Sequence, residues 1–217
     1  MMRSVSRWAA LAVLVAVAAC SKDSTSPGGG NNNALGNYYG VWGASNGSVS
    51  TGGTLVIIVA AGSASGTLTP EGQAGVSVSG TYTAGSGAVS VSGGGHTLTG
   101  TIAGGKLDGT YTGPGGQQGS FGSHHGQSAS DVQLFCGAYD CDSQGVWNLA
   151  KMGTSLEGAY ADDGGGSAKL TGSLNGSAIT ITFSGGTAAG ALSGSAMTGT
   201  WTAGVNSGTW VGASPCP

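Results

Sequence analysis

Leu98-Thr-Gly-Thr-Ile102, followed by Leu107-Asp-Gly-Thr-Tyr-Thr112 and Gly119-Ser-Phe121, is the stretch that decides the fold. A degenerate copy returns about ninety residues later as Ala188-Ala-Gly-Ala-Leu192, Met197-Thr-Gly-Thr-Trp-Thr202 and Gly208-Thr-Trp210. Self-similarity over such a distance marks an internal duplication. Within each unit the first, third and fifth residues share one face of a strand, and that face is apolar, glycine or aromatic. The alternate residues are nearly all Ser, Thr, Asp or Lys, which places them in water. The pattern's glycine falls at Gly40, Gly66, Gly80, Gly100, Gly109 and Gly119, and again at Gly145, Gly158, Gly172, Gly190, Gly199 and Gly208. The spacings are 26, 14, 20, 9 and 10 against 13, 14, 18, 9 and 9, so the halves keep step apart from one extra segment in the first.

Glycine in the middle of a buried strand face weakens the strand, and its recurrence needs a reason. Curvature supplies one. A glycine lets a sheet bend sharply, and a large neighbouring ring covers the backbone it leaves bare, which is how small barrels turn their corners.

The 217 residues carry a net charge of -3 with only 7% charged side chains, so no field attracts nucleic acid or an anionic surface. Forty-six glycines in a chain that is 39% hydrophobic and periodic read as folded, not disordered. Residues 1–19 have the form of a targeting segment, with Arg3 and Arg7 ahead of an apolar run from Trp8 to Val17 that is short for a membrane span.

That segment ends Val17-Ala18-Ala19-Cys20, which resembles the lipobox of bacterial lipoproteins. The resemblance implies that Cys20 is acylated and heads the mature chain. Ser21, in place of an aspartate, then implies an outer-membrane address, on the periplasmic or the cell-surface side. Residues 20–36 are Ser, Thr, Gly and Asn with little apolar content, a flexible tether reaching about 20–25 Å.

From Asn37 onward strands are predicted at intervals of about ten residues with glycine-rich turns and no room for crossover helices. The expected fold class is all-β: an antiparallel up-and-down meander, internally duplicated, closing into two small barrels or rolls. One continuous large barrel or sandwich is the alternative. The first repeat is placed at 37–122, a linker at 123–131 and the second repeat at 132–217. In short antiparallel strands with Gly-x-aromatic punctuation the mature region resembles lipocalin-like and avidin-like meanders.

An exported chain keeps its disulfides. In a closed meander the first and last strands are neighbours, so Cys216 is expected to pair with Cys136 or Cys141, with a local Cys136–Cys141 bridge as the rival.

Chemistry-bearing residues are sparse. His124 and His125 fall in the expected linker, and His96 in a Gly93-Gly-Gly turn where exposure is expected. Asp140, Asp142, Asp162 and Asp163 read as acidic turns without the ligand spacing of a calcium loop. Glu71, Asp108 and Glu157 lack the matched carboxylate or base that hydrolysis needs. No metal or cofactor is expected. Trp42 and Trp147, near strand starts, are the candidate ligand-binding residues, since aromatic faces at a barrel mouth stack on sugars or flat metabolites. The expected function is a non-catalytic, lipid-anchored envelope protein that binds a small molecule, a glycan or an envelope partner. A structural or adhesive surface role and an enzyme are the alternatives.

Overall fold

A computed structural model describes residues 34–216. The targeting segment, Cys20 and most of the tether lie outside the described residues. The chain forms sixteen strands: β1 (Gly36–Ser45), β2 (Ser50–Ala60), β3 (Ser63–Pro70), β4 (Val76–Thr83), β5 (Ala88–Gly93), β6 (His96–Ala103), β7 (Lys106–Thr112), β8 (Gln118–Gly126), β9 (Gln133–Cys141), β10 (Gly145–Met152), β11 (Ser155–Asp162), β12 (Ser167–Asn175), β13 (Ala178–Phe183), β14 (Gly186–Ser193), β15 (Ala196–Ala203) and β16 (Asn206–Ala213). Every neighbouring pair is antiparallel, β1 closes on β8, and β9 closes on β16. The result is two separate eight-stranded barrels in tandem, which rules out the single large barrel and the sandwich. Eight strands leave an interior just wide enough to be filled by side chains or to hold one small ligand.

Alternation does the folding. In β6 Leu98 and Ile102 are buried while the alternate residues Thr97, Thr99 and Thr101 are exposed, and the same two-residue rhythm runs through β5 and β13. The pattern glycines share the inward side of their strands, and Gly100, Gly190, Gly199 and Gly208 lie beneath rings. A Cβ added to Gly199 would meet the Ala189 carbonyl and lie 2.6 Å from Trp210, and one on Gly100 would lie 2.8 Å from Phe121. The rings thus occupy the volume that the missing Cβ atoms vacate, and a tight corner keeps a packed interior.

Strand pairing corrects the alignment of the two halves. Gly40 faces Ser123 across the β1–β8 seam, and the residue that faces the equivalent Gly212 across β9–β16 is Gly137, not Gly145. In the same register Trp42 corresponds to Tyr139, and Trp147 takes the place of Leu55. The first copy has no extra strand; its first hairpin is longer, as the distance from Gly40 to Gly66 exceeds that from Gly137 to Gly158.

The expected linker is also corrected. Strand β8 runs to Gly126, so His124 and His125 belong to the first barrel's wall and only residues 127–132 join the barrels, part of them a turn of 3-10 helix at Ala129–Asp131. The stretch shows no strand alternation because, from Phe121 to Gly126, β8 has no water-facing side. The outer faces of β1 and β8 lie against β10 and β11 of the second barrel. Val41, Val132 and Ala150 form a small apolar cluster there, with Tyr39, Leu134 and Met152 packed around it. A Cβ on Gly122 would lie 2.7 Å from the Gly158 nitrogen, so at this point the two barrels meet backbone to backbone.

Polar groups fasten the same seam. Asn148 donates from Nδ2 to the Trp42 carbonyl at 2.7 Å. Glu157, 1% exposed, accepts from Lys106 of the first barrel and from Lys169 at 3.3 Å, and Lys169 also reaches Asp108 at 2.8 Å. The carboxylates Asp108 and Glu157, one from each barrel, are therefore bridged by lysine and act as structural partners. Burial works against the Lys169 ammonium, yet Asp108 and Glu157 hold its pKa above the ordinary value. His124, fully buried, donates from Nε2 to the Ala150 carbonyl at 3.1 Å, and its Nδ1 has no partner. Ser50 of the first barrel donates to Asp163 of the second through both its backbone nitrogen and its hydroxyl.

Cys141 is free and exposed, while Cys136 and Cys216, 80 positions apart in sequence, form a disulfide with Cα atoms 5.0 Å apart. It pins the segment after β16 to β9, where the second barrel closes.

Candidate functional site

The mouths of the two barrels that correspond in position differ in content. In the first barrel Trp42 stacks on Tyr111 with ring centroids 4.4 Å apart. His96 closes the end, its Nδ1 2.6 Å from the Tyr111 hydroxyl. Trp42 is 1% exposed and His96 only 7%, which corrects both the reading of Trp42 as a ligand platform and that of His96 as a solvated turn residue. Burial pushes the His96 pKa down and raises that of Tyr111 to about 12, so this pair stays uncharged. Leu98 and Leu68 fill the remaining space.

In the second barrel the register puts Gly186 where the first has His96, and Ala188 where it has Leu98. Phe183 stands at the place of Gly93 and lies over Gly186 at the half-exposed rim, so the ring covers backbone and leaves the lumen open. Tyr139 and Trp201 replace the flat Trp42–Tyr111 stack and meet edge to face, 5.8 Å apart with planes at 82°. Two small residues and one rotated pair leave a cavity of about 160 Å³. Its wall includes Tyr139, Trp147, Tyr160, Phe183, Trp201 and Trp210, and Leu170, Ile181 and Ala188 add aliphatic surface to it. Asp162, Ser143 and Asn206 edge it, and Asn206 is exposed, so the cavity opens to solvent.

Trp147 lines this cavity, whereas Trp42 is packed inside the filled first barrel. Tyr139, Tyr160, Phe183, Trp201 and Trp210 join it, and the signal that marks them is the loss of His and Leu at positions 186 and 188, visible only once the strands are in register. Trp147 and Trp210 cross edge to face at 5.1 Å, and Tyr160 and Phe183 do so at 5.2 Å, which braces the wall. The Trp147 indole donates to the Ala138 and Val211 carbonyls, Trp201 to that of Asp140, and Trp210 to that of Thr200, all between 3.1 and 3.2 Å.

The Tyr139 hydroxyl is buried without a hydrogen-bond partner, since Ser143 is close enough to influence it but lacks bonding geometry. Burial and then the Asp162 charge push its pKa far above the ordinary phenol value, and the same two causes raise that of Tyr160. Both phenols stay protonated at neutral pH and can orient a ligand but not act as a base. The acidic turns behave as turns: Asp162 accepts from the Gly166 nitrogen, Asp140 from the Thr209 hydroxyl and Asp142 from the Ser207 nitrogen. Among the described residues no three metal-ligating side chains converge, and no helix is long and apolar enough to cross a membrane.

Comparison of the chain with protein-family models, with curated proteins and with solved structures gave no match.

Proposed function

We propose that this chain is a non-catalytic envelope lipoprotein, tethered through Cys20 to the outer membrane, whose second barrel binds a small molecule. The observation that carries the binding reading is the aromatic-walled cavity of about 160 Å³ at a mouth whose counterpart in the first barrel is plugged. An apolar cavity of about 150 Å³ takes a single benzene-sized group, so the ligand, or the part of it that enters, is no larger than one ring. The second barrel is the binding module and the first is its filled structural twin, held against it by the buried seam.

Three of the cavity's rings are tryptophans, which makes the test direct. Titration with p-cresol is expected to change tryptophan emission, and Ala188→Leu, which restores the leucine of the first barrel, is expected to abolish the response while leaving the far-ultraviolet circular dichroism unchanged. An unaltered p-cresol response in Ala188→Leu would place any binding elsewhere.

A further inference from the structure

We propose that the ligand of the second barrel is a small organic cation of the alkylammonium class, an inference that rests on the binding reading above and gives it a chemistry. A ring face carries the negative lobe of the aromatic quadrupole, and a cation desolvated among several rings gains from each of them. The six rings of the wall belong to Tyr139, Trp147, Tyr160, Phe183, Trp201 and Trp210. All three indole N–H groups are committed to backbone carbonyls of the barrel wall. The strongest donors that an anion or a carbonyl would seek are therefore turned away from the lumen.

Asp162 is the charged residue of the lining. Its Oδ1 accepts from the Gly166 nitrogen at 2.8 Å, a bond that fixes the carboxylate without neutralising it. The ion pairs of the described residues all belong to Lys106 and Lys169 at the seam between the barrels. Lys151, the third lysine of the described residues, pairs in register with Leu156, at the far end of β10 from the mouth. Asp140, near the end of β9 and next to Tyr139, and Asp142, on the turn that follows the strand, add negative charge on the side of the mouth. The Tyr139 hydroxyl, buried and unpartnered, supplies one polar contact inside, to a hydroxyl or N–H carried by the cation.

Three probes of one shape separate charge from fit: choline, its uncharged carbon analogue 3,3-dimethylbutan-1-ol, and the anion 3,3-dimethylbutanoate. With the full-length protein, titrations read by tryptophan emission and calorimetry are expected to show choline binding at least about tenfold more tightly than the alcohol, and no binding of the anion. Asp162→Asn keeps the acceptor for Gly166 and is expected to weaken choline by about tenfold while leaving the alcohol unchanged. Raising the salt concentration is expected to weaken choline alone. Alcohol binding equal to or tighter than choline, or unchanged choline affinity in Asp162→Asn with the fold intact, would overturn the cation assignment. If p-cresol binds and choline does not, the cation inference fails and the pocket stands; if neither binds, the binding reading fails with it.

Discussion

Replacing Gly199 with alanine tests the physical basis of the fold, because it adds one carbon where the structure has no room. The new Cβ would collide with the Ala189 carbonyl and stand 2.6 Å from the Cε2 and Cζ2 atoms of Trp210. The carbonyl belongs to the β14–β15 ladder, so the pairing must distort locally and the indole must move as well. Overpacking of this kind costs about 1–3 kcal/mol. Displacing the ring also strains the bond from its nitrogen to the Thr200 carbonyl, worth about 1 kcal/mol. The total is about 3 kcal/mol, or a fall in Tm of about 6–12 °C for a chain of this size. Gly85→Ala is the control: no atom lies within 4 Å of its added Cβ and its φ is not in the left-handed region. That variant is expected to be neutral or slightly stabilising, since alanine restricts the unfolded chain. The assay is urea unfolding followed by tryptophan emission and circular dichroism. A Gly199→Ala variant within about 0.5 kcal/mol of the parent would refute the idea that ring-covered glycines let these barrels close.

Further outcomes follow from the seam and the termini. Cys216→Ser opens an 80-residue loop, and chain entropy puts the loss near 4.5 kcal/mol; thiol labelling of the untreated protein with peptide mapping should find Cys141 reactive and Cys136 and Cys216 protected. Lys106→Met leaves the buried Glu157 with Lys169 and the Thr171 hydroxyl as its remaining donors and is expected to cost about 1–3 kcal/mol by urea unfolding, less than for a wholly buried pair because the lysine is about one-third exposed; a double-mutant cycle with Glu157→Gln should recover coupling between the barrels, and strict additivity would deny it. Stability should fall as pH drops below about 6.5. Burial holds the pKa of His96 and of His124 below that of the unfolded chain, so the unfolded state takes up protons that the folded state refuses, and the stability present above the unfolded pKa is lost on the way down toward the folded one. Glu157 and the Ala150 carbonyl oppose this at His124, while Lys106 reinforces it. His124→Gln should flatten the dependence of the urea midpoint on pH, and an unchanged slope would remove His124 from the account.

The sequence by itself determined the local rules. Alternation with a period of two, glycine on the inner face and a ring nearby are short-range features, and they were enough to predict all-β meanders, the duplication, the closure of each copy and a bridge from Cys216 back to the start of the second copy. What depended on which surfaces meet was not legible. His124, Val41, Ala150 and Glu157 stand on faces that strand alternation assigns to water, and they are buried because one barrel lies against the other. A packing face between domains has no periodic signature, because its residues are scattered over four strands and only the tertiary structure gathers them. The site was hidden for a related reason. Six rings, of which the strand pattern singles out only Trp147, line an open cavity because Gly186 and Ala188 stand where the first barrel has His96 and Leu98, a substitution that acquires meaning only when strand pairing shows which residues share a place in the wall.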